Sequence, residues 1–145
     1  MPQKLLCADI LICDSILQEA DGVSSVIRLV DLFTVPLAPN VPVEQQILEI
    51  KVFVILKSQI GDSEDHNIRI DLLRPSGDTQ LLIEKPVPVP SRFGPHLPGG
   101  ANLILNLGVI LREMGTHYIR LTDDGQELTK APFTLRPPDA APQKS

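Results

Sequence analysis

Residues 47–57, ILEIKVFVILK, set Leu48, Ile50, Val52, Val54 and Leu56 on one side of an extended chain, with Glu49, Lys51 and Lys57 on the other. Alternation of this kind predicts a strand with one wet face. A helix would need its apolar stripe at intervals of three and four, and the charges interrupt that stripe. The same period returns in 101–111, ANLILNLGVIL, where Leu103, Leu105, Leu107, Val109 and Leu111 point one way and Asn102, Asn106 and Gly108 the other. Between these strands, NIRIDLLRPSGDTQLLIEK (67–85) predicts a hairpin whose loop, Pro75-Ser76-Gly77-Asp78, supplies a proline and a glycine for the turn. Its register would set Leu72 against Leu81 and Ile70 against Ile83.

Two further hairpins follow from turn chemistry. In HYIRLTDDGQELTKAPFTL (117–135), Asp124-Gly125 predicts a two-residue type I′ turn pairing Thr122 with Glu127 and Leu121 with Leu128. One extra residue near Lys130 then brings Ile119 opposite Ala131 and His117 opposite Phe133, and Pro132 independently predicts a bulge or an edge. Residues 4–19 and 24–35, with Asp21-Gly22 between them, read as a long hairpin whose strands are bent or split. Residues 36–46 link it to the next strand, and 86–100, PVPVPSRFGPHLPGG, form a longer excursion with five prolines and three glycines.

Short strands, frequent turns and no helical periodicity predict an all-β fold. The expected form is a two-layer antiparallel β-sandwich, immunoglobulin-like, of seven to eight strands. The expected domain runs over residues 1–136, with 137–145 as a disordered tail of proline and polar residues. A chain of 145 residues with 43% hydrophobic content is long enough to bury a core without staples.

Charge and composition narrow the function. A formal net charge of −5 and only 3% aromatics argue against nucleic acid and against an anionic membrane surface as partners. Cys7 and Cys13 on one strand would lie about 20 Å apart, beyond disulfide reach, so both are expected reduced and buried or half-buried. Reduced cysteines favour a cytoplasmic protein. KLLCADILIC near the N-terminus fits neither a signal peptide nor a membrane span, because Asp9 and Asp14 break the apolar run.

The quoted strands also carry a likeness. ADILICDSILQEADGVSSVIRLVDLF followed by LEIKVFVIL, with the closing GTHYIRLTDDGQELTKAPFTL, resembles a family of uncharacterised bacterial cytoplasmic proteins, over about residues 5–136. The resemblance implies a single β-sandwich domain and no particular activity. The inward position two after Gly115 suits an aromatic such as Tyr, and His117 stands there instead.

No phosphate loop, dinucleotide fingerprint, nucleophile elbow or zinc-protease helix occurs. His66, His96 and His117 lie in separate segments, and His117 beside Ile119 and Leu121 reads as a packed, hydrogen-bonded side chain. GDSEDH (61–66) lacks calcium-loop spacing and reads as a solvated turn. These absences predict no enzyme, no metal and no cofactor. The proline-rich segment offers a partner-binding loop at Arg92, Phe93 and His96, or else a strap between sheets. Tyr118 and Arg120, outward on the terminal hairpin, would extend a surface patch or else be ordinary exposed strand residues. Apolar residues on nominally outer faces, namely Phe53, Ile55, Ile104 and Ile110, predict work through a protein partner or a homo-oligomer. The alternative is a binder of a small apolar or sugar-like ligand, at the end of the sandwich or in the 86–100 loop.

Overall fold

Alternating side chains leave one dry face per strand, and two such faces closed on each other account for the architecture. The computed structural model describes residues 5–18, 24–36, 39–59, 62, 65–90 and 98–138. Among these lie nine strands. They are β1 (Leu6–Gln18), β2 (Ser24–Leu29), β3 (Leu32–Thr34), β4 (Ile47–Ser58), β5 (Asp65–Leu73), β6 (Thr79–Pro88), β7 (Gly100–Ile110), β8 (Gly115–Asp123) and β9 (Gln126–Arg136). They form a four-stranded sheet, β2-β1-β4-β7, and a five-stranded sheet, β3-β9-β8-β5-β6. The all-β, two-sheet expectation holds, with more strands than the seven or eight expected. No helix among the described residues is long and apolar enough to cross a membrane.

The core follows the predicted parity. Ile50, Val52, Val54 and Leu56 of β4 and Leu105, Leu107 and Val109 of β7 are buried. They form one cluster with Ile68, Ile70 and Leu72 of β5, Ile119 and Leu121 of β8, and Phe133 and Leu135 of β9. His117 joins it by stacking on Phe133, with ring centroids 5.3 Å apart.

Three readings need correction, the first being the purely antiparallel sandwich. The 24–35 strand is split, as expected: Arg28 takes a positive φ of 55°, and the chain then leaves β2 and crosses to the other sheet as β3. There β3 runs parallel to β9, so the second sheet is not purely antiparallel. In the β5–β6 hairpin Ile70 does face Ile83, but a bulge beside Asp71 sets Leu72 against Gln80 and leaves Leu81 exposed. In the β8–β9 hairpin the extra residue is Leu128, not one near Lys130, because Leu121 already faces Thr129. The turn itself is as expected, with positive φ at both Asp124 and Gly125. The Asp21-Gly22 turn and residues 139–145 of the tail lie outside the described residues.

Candidate functional site

Strand parity continues past the apolar run at one end of the two sheets and brings polar residues inward. His66 shares the face of Ile68, Ile70 and Leu72 on β5, and Asp123 shares the face of Ile119 and Leu121 on β8. Ile68 pairs with Asp123 across the ladder, so the two side chains meet. His66 Nδ1 lies 2.6 Å from Asp123 Oδ2, and its Nε2 lies 2.7 Å from Asp62 Oδ2. The ring is 0% exposed and each carboxylate 2%. One carboxylate thus stands at each ring nitrogen. The backbone N–H of Leu5 donates to Asp62 Oδ1 at 2.7 Å, which ties the start of the four-stranded sheet to β5 and β8 of the other. Asp123 Oδ1 is buried without a hydrogen-bond partner among the described residues.

This arrangement corrects the reading of GDSEDH as a solvated turn: two of its polar side chains are buried and paired. Both nitrogens of His66 are occupied by carboxylates on opposite sides of the ring, and the assembly acts as a staple between sheets. Among the described residues no group of three or more His, Cys, Asp or Glu is arranged to hold a metal. In front of His66 opens a cleft of about 410 Å³, lined by Asp65, Asn67, Asp124 and the first residues of the proline-rich segment, Pro86 to Pro88.

The expected partner-binding residues Arg92, Phe93 and His96 lie outside the described residues. His117 is buried as expected, its Nδ1 donating to the Gly115 carbonyl at 2.9 Å. Burial holds its pKa below the ordinary imidazole value, more than the Gly115 hydrogen bond raises it. Arg120 faces outward but is paired with buried Asp71 at 3.2 Å, and Tyr118 lies under the Lys130 ammonium. Cys7 and Cys13 are both free; Cys7 is exposed, against expectation, while Cys13 is buried. Burial pushes the Cys13 thiol up, which opposes thiolate reactivity.

A second feature lies on the outer face of the four-stranded sheet. Leu11, Phe53 and Ile104 stand opposite one another across β1, β4 and β7. Phe53 is buried although it is not part of the core cluster, and Ile104 is 46% exposed. Ile55 and Ile110 are half-buried. Leu11 also lines a largely apolar cleft of about 320 Å³, together with Ile10, Ile12, Leu29, Val30, Asp31, Ala131 and Pro132.

A protein-family model described as a family of unknown function, DUF6941, matches residues 8–136. No curated protein matches the chain. Among solved structures, the Pseudomonas fluorescens alkylpurine DNA glycosylase AlkC, bound to DNA containing an abasic site analog, is similar at 10% identity and a TM-score of 0.44. The likeness covers 92% of this chain and 31% of that one, so the present chain spans about a third of its length. A likeness this distant carries no argument for an activity. The exclusion of nucleic acid drawn from composition is nonetheless withdrawn. The physical reason is that net charge sums over the whole chain, whereas an encounter is governed by local potential.

Proposed function

The chain belongs to the DUF6941 family of unknown function, and we propose that it is a non-enzymatic scaffold that works through contact between protein surfaces, with self-association as that contact. The observation that carries this reading is the apolar row Leu11, Phe53 and Ile104, which crosses the outer face of the four-stranded sheet and ends on the exposed Ile104 of its edge strand. Phe53 is already buried within the chain, so the apolar surface left for a partner is Ile104, at the edge of the sheet where a second copy would meet it. The closed staple at His66 supports a non-catalytic role, because the buried histidine–carboxylate grouping at the cleft has no nitrogen to spare.

We further read the two sheets as an immunoglobulin-like sandwich. The strand orders β1-β4-β7 and β5-β8-β9 agree with the A-B-E and C-F-G runs of that fold, and β6 then extends the second sheet as a C′ strand. The two free cysteines support a reducing compartment such as the cytoplasm.

Sedimentation velocity over a concentration series tests the contact. The wild type should sediment above its monomer mass, and Ile104→Glu, which puts a charge at the exposed end of the apolar row, should shift it toward monomer. A wild type that stays monomeric throughout contradicts the reading. A second reading, a small-ligand binder, is favoured by the cleft beside Pro86 to Pro88. A ligand screen by thermal shift, repeated on Asn67→Trp to fill the cleft, should then lose its hits in the variant.

A further inference from the structure

A second chain can add to a sheet only at an edge, and the four edges here differ in how they are closed. β2 and β3 have six and three residues. β6 carries Pro86 and Pro88 and adjoins a bulge. β7 is different: it pairs with β4 through eleven consecutive residues without a register shift. Its last residues are capped by side chains from the β5–β6 hairpin. Gln80 Nε2 donates to the Gly108 carbonyl at 3.1 Å, the Ile110 N–H donates to Gln80 Oε1 at 3.2 Å, and Arg74 Nη2 donates to the Ile110 carbonyl at 3.1 Å. The stretch before that cap, ANLILNL (101–107), has no proline and no charge, the composition that leaves an edge open to pairing.

The direction of the backbone groups is fixed by the bonds β7 and its flanks make to β4. The Leu111 N–H donates to the Gln46 carbonyl and the Ser58 N–H to the Gly99 carbonyl, so odd-numbered residues of this strand turn their N–H and C=O toward β4. Asn102, Ile104 and Asn106 therefore turn theirs toward the other edge, where no further strand lies among the described residues. Residues 102–106 read Asn-Leu-Ile-Leu-Asn, the same in both directions.

We propose that β7 pairs antiparallel with β7 of a second copy of this chain, about a two-fold axis at Ile104. The inference rests on the self-association reading and specifies its geometry. A two-fold interface requires that residue i face j while j faces i. With the axis at Ile104, that residue faces its own counterpart and each Asn102 faces an Asn106. All three are the residues whose main-chain groups point outward, so the register exchanges roughly six backbone hydrogen bonds. On the inner face Leu103 stands opposite Leu105. On the outer face the row Leu11, Phe53, Ile104 runs without interruption into the same row of the second copy. The Gln80 cap ends the pairing where Gly108 would meet Gly100. No charged residue lies anywhere in the paired stretch, so no like charges oppose across the axis.

Two kinds of variant test this in the full chain. The Ile104 N–H does not bond β4, so Ile104→Pro removes no bond of the β4–β7 ladder and should block only the outer edge. Ile104→Lys does the same by charge, and far-ultraviolet dichroism verifies that both remain folded. In a Cys7→Ser background, Ile104→Cys should form a disulfide-linked dimer on oxidation, because facing Cα atoms about 5.5 Å apart lie within disulfide range. Asn106→Cys, displaced from its own counterpart, should not. The expected result is a dimeric wild type by sedimentation velocity, monomeric Ile104 variants, and cross-linking at 104 alone. A dimeric wild type whose Ile104 variants stay dimeric and whose Ile104→Cys does not cross-link overturns the β7 edge but leaves self-association standing. A wild type that is monomeric at every concentration overturns both.

Discussion

At the scale of single residues, the decisive positions are polar side chains that strand parity directs inward. His66 follows the same alternation as Ile68 on β5, and Asp123 the same alternation as Leu121 on β8, so their inward aim was legible from the sequence. Their meeting was not, because it depends on which strands are neighbours, and Asp62 reaches them from an irregular segment with no period to read. Removing one partner of a buried pair leaves the other uncompensated, so Asp123→Ala should cost about 3–5 kcal/mol in urea unfolding. Asp123→Asn, which keeps an acceptor for Nδ1, should cost less. Equal losses would mean that the hydrogen bond at His66 is not what Asp123 supplies. His117 makes a prediction in pH. Its folded pKa lies below the ordinary 6.5, so below that pH the unfolded chain takes up a proton that the folded one refuses. Stability is full above pH 6.5 and is lost as pH falls through the lowered folded value. His117→Phe removes that proton uptake, and its urea midpoint should fall less steeply with acid than that of the wild type. Parallel curves for the two proteins would contradict a neutral buried ring.

At the scale of elements, each hairpin was readable from its turn while its register was readable only in part. Asp124-Gly125 predicts its own type I′ geometry, and both residues adopt positive φ. The bulge at Leu128 has no such local signal, since an extra residue anywhere between Leu121 and Ala131 restores the same inner pairs. The bulge beside Asp71 is similar: it lets Gln80 turn to β7, a tertiary demand invisible in the hairpin alone. The split after β2 was expected but its destination was not, because crossing to the other sheet gives Phe33 an edge contact with Phe133, ring centroids 5.9 Å apart. The turn is the cleanest place to test local cause. Gly125 has φ +86°, and a Cβ added there would meet nothing within 4 Å, so Gly125→Ala adds no clash and only conformational strain. Thermal unfolding should register a loss of about 1–2 kcal/mol. No loss would mean that the turn relaxes to another type.

At the scale of the whole molecule, two sheets and a shared core were legible because alternation sets one dry face per strand. Strand order was not, and neither was the parallel contact of β3 with β9, which joins residues about a hundred positions apart in sequence. Whole-chain charge says little about any one face for a related reason: it averages over faces that the fold separates. What favours cover by a second copy is therefore where Leu11, Phe53 and Ile104 come to lie, not their number. Amide hydrogen exchange resolved by residue tests the central claim most directly, because it reads the open edge of the four-stranded sheet without altering it. If a second copy completes that sheet, the amides of Asn102, Ile104 and Asn106 should gain protection as protein concentration rises, while those of Leu103 and Leu105, already bonded to β4, stay unchanged. Fast exchange at the three outward amides at every concentration would contradict the account.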